Sequence, residues 1–245
     1  MLIAITAATQ SANAQHAGDV IIGANSNGQL VIDPEGFVPD LNYFALPVGG
    51  VFFPGWADSN PGFDHLVTPR PEDSLFPLSS GALIDLEIVN VDPAFQVVVL
   101  GNPPSFLDQP GESTLLGDHT LHEHITFHIN ADSPQFDPDQ CVWHATFQLV
   151  DDGSTEYDTS TLMTYRFTNV PLETPDGDFN EDTLVDTADH EAFAECLSGP
   201  NQTPTPNDPS LTTCEVECLN AFDFDGDLDV DLQDYVMFST VLADD

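Results

Sequence analysis

The chain has 245 residues and is 41% apolar, enough to bury a core, so it reads as globular. It carries 42 acidic residues against two basic ones, Arg70 and Arg166, a formal net charge of −40. That charge repels nucleic acid and anionic membranes, and it makes the fold depend on bound and diffuse cations.

Residues 1–14 read as the end of a secretory signal peptide. A short apolar run, Leu2-Ile3-Ala4-Ile5, precedes a small-x-small cleavage site at Ala12-Asn13-Ala14, although the basic segment that usually opens a signal is missing. The cysteines Cys141, Cys196, Cys214 and Cys218 fit an oxidising compartment, and their spacing is not that of a zinc ribbon. No later stretch is long and apolar enough to span a bilayer.

Residues 15–172 are expected to form an all-β domain. Short β-branched runs at 20–22, 29–32, 51–53, 82–91, 95–100, 121–129, 141–150 and 161–168 alternate with clusters of Gly, Pro, Asn and Asp. Proline between them leaves little room for helix. The spacing predicts an antiparallel β-sandwich. Over 82–91, Ala82, Ile84, Leu86 and Ile88 share one face; over 141–150, Cys141, Trp143, Ala145, Phe147 and Leu149 do. The aromatics Tyr43, Phe44, Phe52, Phe53 and Trp56 read as core, with a carbohydrate-binding platform as the rival.

The run Leu121-His122-Glu123-His124-Ile125-Thr126-Phe127-His128-Ile129 carries chemistry. Period-two alternation puts Leu121, Ile125, Phe127 and Ile129 on one face with Glu123 among them, and His122, His124 and His128 on the other. Imidazoles at i and i+2 on a strand face are spaced to chelate one transition metal, Zn²⁺ or Cu²⁺. His144, on the outer face of the next strand, comes alongside if the two form a hairpin, and an N-terminal His16 would add an amine and an imidazole. The bland alternative is a polar sheet face that uses His in a chain nearly devoid of Lys and Arg.

A boundary falls near Pro171-Leu172-Glu173-Thr174-Pro175, where β-branched composition gives way to Asp and Ala, so residues 173–245 form a second domain. Two acidic loops follow, 178–189 and 223–234, offset by 45 residues. Each leads into a helix, at 187–198 and 232–242, and the match extends to Phe193 with Phe238 and Leu197 with Leu242. Short acidic side chains at alternate loop positions are what Ca²⁺, a hard cation taking six to eight oxygens, requires.

This duplicated loop-helix unit resembles the type I dockerin module, over about 70 residues from Gly177 to the C-terminus. The resemblance implies two Ca²⁺ ions. Their ligands would be Asp178, Asn180, Asp182, Asp186 and Asp189, then Asp223, Asp225, Asp227, Asp231 and Asp234, with backbone carbonyls from Leu184 and Asp229. It also implies a cohesin-type partner read by loop positions ten and eleven, here Thr187-Ala188 and Leu232-Gln233. These pairs differ, so a symmetrical two-way docking mode is not expected. Position six, usually Gly, is Thr183 or Leu228, which predicts backbone strain and weaker Ca²⁺ binding. The long linker and its cysteines resemble versions in secreted planctomycete proteins. One of Cys214 and Cys218 is expected to pair with Cys196, Cys218 being preferred because it sits close to the loop.

In the β region, the runs at 16–20 (His-Ala-Gly-Asp-Val), 60–64 (Asn-Pro-Gly-Phe-Asp) and 121–124 (Leu-His-Glu-His) resemble a group of secreted bacterial β-sandwich proteins, some of them zinc-regulated. That resemblance reaches His16, Asp19, Asp64, His122 and His124, with one residue more than usual between His16 and Asp19.

No phosphate-cradling loop, nucleophile elbow or His-Glu-x-x-His motif is present, and so many carboxylates leave no particular acid pair arguable for glycoside hydrolysis. The expectation is a secreted or cell-surface, non-enzymatic modular protein whose calcium-binding tail docks to a cohesin-type partner or a cell-surface component. The alternatives are a Zn²⁺ or Cu²⁺ binder through the histidine strand, and a polysaccharide-degrading or carbohydrate-binding protein.

Overall fold

A computed structural model describes residues 18–35, 38–206, 212 and 214–242. The expected signal segment and His16 lie outside the described residues. The strands are β1 (Val20–Asn25), β2 (Leu30–Ile32), β3 (Tyr43–Ala45), β4 (Gly55–Asp58), β5 (Phe63–His65), β6 (Leu75–Phe76) and β7 (Leu83–Val91). Then come β8 (Phe95–Val99), β9 (Ser105–Leu107), β10 (Ser113–Asp118), β11 (His122–Glu123), β12 (Thr126–Asn130), β13 (Val142–Asp151) and β14 (Met163–Thr168). Three helices close the chain: α1 (Thr187–Cys196), α2 (Glu215–Phe222) and α3 (Leu232–Val241). None is long and apolar enough to cross a membrane.

The strands form three sheets. One runs β11-β5-β1-β2, with β6 also on β1; the second β10-β7-β13-β14-β3; the third β4-β12-β8-β9. Two pairings depart from the antiparallel expectation: β1 with β5 and β14 with β3 are parallel. Period-two alternation sets what each strand buries. Ile84, Leu86 and Ile88 of β7 and Trp143, Ala145, Phe147 and Leu149 of β13 turn inward. They meet Phe95, Phe127, Tyr165 and Phe167, whose rings stack at the centre, Phe95 lying 4.6 Å from Phe167. The stretch expected as a strand at 51–53 is instead a turn, with Val51 and Phe52 almost wholly exposed.

The helices gather a second core of Phe193, Val216, Phe222, Val230 and Phe238. Tyr43 of β3 and Val142 of β13 belong to it, so the tail packs on the β region. The Tyr43 hydroxyl donates to Glu215 at 2.6 Å, and Cys141 is disulfide-bonded to Cys214 across 73 residues. A second disulfide, Cys196 to Cys218, ties the end of α1 to α2. The sequence reading contained neither α2 nor the Cys141 bridge.

Candidate metal centre

The two acidic loops share the same capping and loop-closing hydrogen bonds. Asp186 and Asp231 are the N-caps of α1 and α3, with φ and ψ of −133° and −159° in one and −133° and −161° in the other. Their carboxylates accept from Ala188 N at 2.8 Å and Gln233 N at 2.6 Å. Three residues on, the fully buried Asp189 and Asp234 complete the capping box by accepting from Asp186 N at 2.9 Å and Asp231 N at 2.8 Å. The same two carboxylates reach back to the loop entrance, taking Phe179 N at 2.9 Å and Phe224 N at 2.8 Å. At position one, Asp178 accepts from Asp182 N and Thr183 N, and Asp223 from Asp227 N and Leu228 N. Amides therefore turn the carboxylates toward the inside of each loop. At position six both residues lie in the left-handed region, Thr183 at φ 73° and Leu228 at φ 68°.

The second loop is the more enclosed. Asp223 and Asp231 are buried where Asp178 and Asp186 are half-buried, and Asp229 is buried where Leu184 is exposed; Asp189 and Asp234 are both fully buried, and Asn180, Asp182, Asp225 and Asp227 are all exposed. Carboxylate oxygens of Asp223, Asp225 and Asp227 lie within 4.8 Å of one another, as do those of Asp229, Asp231 and Asp234. Asp229 thus brings its side chain, where the sequence assigned it a backbone carbonyl. One of its oxygens accepts from Asn201 N, and the other is buried with no hydrogen-bond partner among the described residues. At the matching position of the first loop, Leu184 is exposed.

Crowding shows in the acidity of the second loop. Burial, with the charge of Asp234 adding to it, pushes the Asp223 carboxyl up to about 6 against partial opposition from the loop amides. Asp225 and Asp229 are also raised, by burial first and then by neighbouring aspartates. A divalent cation among these oxygens cancels that repulsion, and an all-oxygen donor set suits Ca²⁺.

The histidine run is broken. Residues 122–123 form β11, which pairs with β5, while 126–130 form β12 between β4 and β8 in another sheet. Leu121, Ile125, Phe127 and Ile129 are buried, as alternation requires, but Glu123 is exposed. His122 and His124 stay together, ring centroids 5.2 Å apart. His128 does not join them. It is 2% exposed, with Nε2 donating to Pro54 O at 3.0 Å and Nδ1 accepting from Gln96 Nε2 at 2.8 Å. A carbonyl only accepts, so the proton is on Nε2, and Gln96 occupies the remaining lone pair. Burial pushes its pKa down, which keeps it neutral. His144 is in the second sheet, on β13, with Nδ1 3.2 Å from Asp92; that bond raises its pKa.

The aromatic set is dispersed. Phe44 stacks on Tyr165, Tyr43 is buried beneath Arg166, Trp56 stacks on Phe136 and Phe53 meets His128 edge-on. Only Phe52 of the five stands out into solvent, so they form no flat platform.

No protein-family model, no curated protein and no solved structure matches this chain.

Proposed function

We propose that this is an exported modular protein whose C-terminal region is a dockerin-like tail that binds two Ca²⁺ ions and docks to a cohesin-type partner. The observation that carries this reading is the duplicated loop, in which the same capping box and the same inward-turned aspartates recur 45 residues apart. Exposed apolar residues on α3 support docking: Leu232, Tyr235, Val236, Met237 and Val241 all reach solvent. Thr187 and Ala188 of α1 and Leu232 and Gln233 of α3 are exposed as well, so the positions that would read a partner are open. Two disulfides and the acidic surface suit an oxidising, extracellular setting. Calorimetric titration of the full chain with Ca²⁺ should give close to two ions bound per chain, and a cohesin domain should be retained in Ca²⁺ and released by chelator. Absence of Ca²⁺ uptake removes the proposal.

A further inference from the structure

A separate cluster lies in the first sheet, where β1, β5 and β11 pair side by side. The parallel register sets Val20 against Phe63, and the antiparallel register sets His122 against Asp64. Asp19, just before β1, is thereby brought to His122 and His124, which flank the end of β11. One ligand atom from each of the three lies within 4.8 Å of the other two.

Asp19 is the unusual member. It is 3% exposed, in a chain with carboxylates to spare at the surface. Its Oδ1 accepts from Gly62 N at 3.1 Å, but its Oδ2 is buried with no hydrogen-bond partner among the described residues. His124 Nε2 stands 4.0 Å from it, too far for a hydrogen bond. A buried carboxylate oxygen left so is costly, and a bound metal ion would offset that cost.

His124 is set up as a ligand. Its Nδ1 lies 2.9 Å from the Ser59 carbonyl. The carbonyl only accepts, so Nδ1 carries the proton and Nε2, on the Asp19 side, keeps its lone pair. The ring lies flat on Gly62, where a Cβ would stand 2.5 Å from it. Beside His122, Asp64 Oδ2 is 3.8 Å from Nδ1, within a small rotation of the carboxylate-imidazole bond that orients metal ligands.

We propose that Asp19, His122 and His124 bind one Zn²⁺ ion, apart from the calcium loops. Two imidazoles and a carboxylate are a borderline donor set that suits zinc and disfavours Ca²⁺. Tetrahedral zinc, about 2.0–2.1 Å from each ligand, draws the three atoms closer than 4.8 Å, and the two partly exposed rings have room to turn. The described residues supply three of the four ligands that tetrahedral zinc takes.

The test uses the full chain in saturating Ca²⁺, so that the C-terminal loops and the diffuse acidic surface are already occupied. Zn²⁺ is then added and bound metal counted by mass spectrometry, with Co²⁺ absorption reporting coordination geometry. The expected result is one Zn²⁺ per chain and an intense tetrahedral Co²⁺ spectrum. Both should be lost in the His122→Ala/His124→Ala double variant and in Asp19→Asn, and kept in Asp189→Ala and Asp234→Ala. The histidine pair is partly exposed, so the double variant reports on the site even if Asp19→Asn fails to fold. Gly62→Ala, which displaces the His124 ring, should weaken Zn²⁺ about 10–100-fold. Unchanged zinc stoichiometry in the double variant, or a weak octahedral Co²⁺ spectrum, overturns the proposal.

Discussion

The two acidic loops share a backbone and differ in what surrounds them. In the first, Asp178 to Asp186 lie toward solvent, and only Asp189 is fully buried. In the second, the segment after α1 folds over the loop. Ser198 N and Gly199 N both donate to Val230 O, and Asn201 N to Asp229. The disulfide between Cys196 and Cys218 closes the stretch that contains those residues. The second loop also has Asp225 where the first has Asn180, and Asp229 where the first has Leu184. Affinity for Ca²⁺ follows ligand charge and rigidity, so the enclosed, more acidic loop should fill first. One repeated sequence unit thus gives two unequal loops, and the inequality comes both from the overlying segment and from these two differences within the repeat.

Replacing the capping-box aspartates should show the largest difference. Asp234 and Asp189 each accept from three backbone amides, and each would be a calcium ligand. Loss of a buried acceptor costs on the order of 1–3 kcal/mol per amide left without a partner. The overlying segment adds buried contacts to the second loop, so Asp234→Ala should cost several kcal/mol and abolish the tighter Ca²⁺ step. Asp189→Ala should cost less, because Asp178 and Asp186 around it are only half-buried and no segment covers that loop among the described residues. Chemical denaturation and calcium titration of both variants decide it; equal losses would mean that enclosure does not distinguish the loops.

Acidity sharpens the same contrast. Asp223 stands at about 6 when folded against an ordinary 3.8. Between those values the folded loop holds a proton that the unfolded chain has released. This contribution is fully present below pH 3.8 and is lost as pH rises through about 6, so the calcium-free tail should become less stable on going up. With Ca²⁺ the direction reverses, because the ion needs the carboxylate: affinity at the second loop should climb to about pH 6 and then level off. Melting curves from about pH 4 to 7, in chelator and in Ca²⁺, read both limbs. A calcium-free melting temperature that rises with pH across the window, and is unmoved by Asp223→Asn, would break the assignment.

What sequence made legible was orientation, and what it hid was company. Alternation identified the inward residues of β7 and β13, because one buried face suffices to set that pattern. In the sequence the same alternation runs through the change of sheet at residues 124–125; Ile125 still faces inward, but Glu123 does not, and Thr126 and His128 are buried as well. Period two reports which face a residue takes and not which strand lies beside it, so His128 was grouped with His122 and His124. The duplicated acidic loops were legible because each is contained within twelve residues. The Cys141 to Cys214 bridge was not, since it joins residues 73 apart and four cysteines allow three pairings. Helix α2, at eight residues, is too short for a clear helical period. Asp19 was marked only by resemblance; its burial beside two imidazoles depends on the pairing of β1 with β5 and of β5 with β11.

The smallest expected effect tests the missing glycines. Thr183 and Leu228 both hold positive φ, where a side chain costs about 1 kcal/mol relative to glycine. Thr183 is exposed and packs against nothing in the second core, so Thr183→Gly should stabilise the calcium-bound tail by about that amount and tighten the first site up to about fivefold. Leu228 has the same strain, but its side chain is half-buried against the second core. Leu228→Gly therefore trades relief of strain for lost apolar burial, about 0.8 kcal/mol per buried methylene, and should leave stability near neutral or lower. Paired denaturation and calcium titrations of the two variants separate strain from packing. A gain at Leu228 equal to that at Thr183 would mean that the packing of Leu228 on the second core contributes little, and that the two loops are closer in kind than their surroundings suggest.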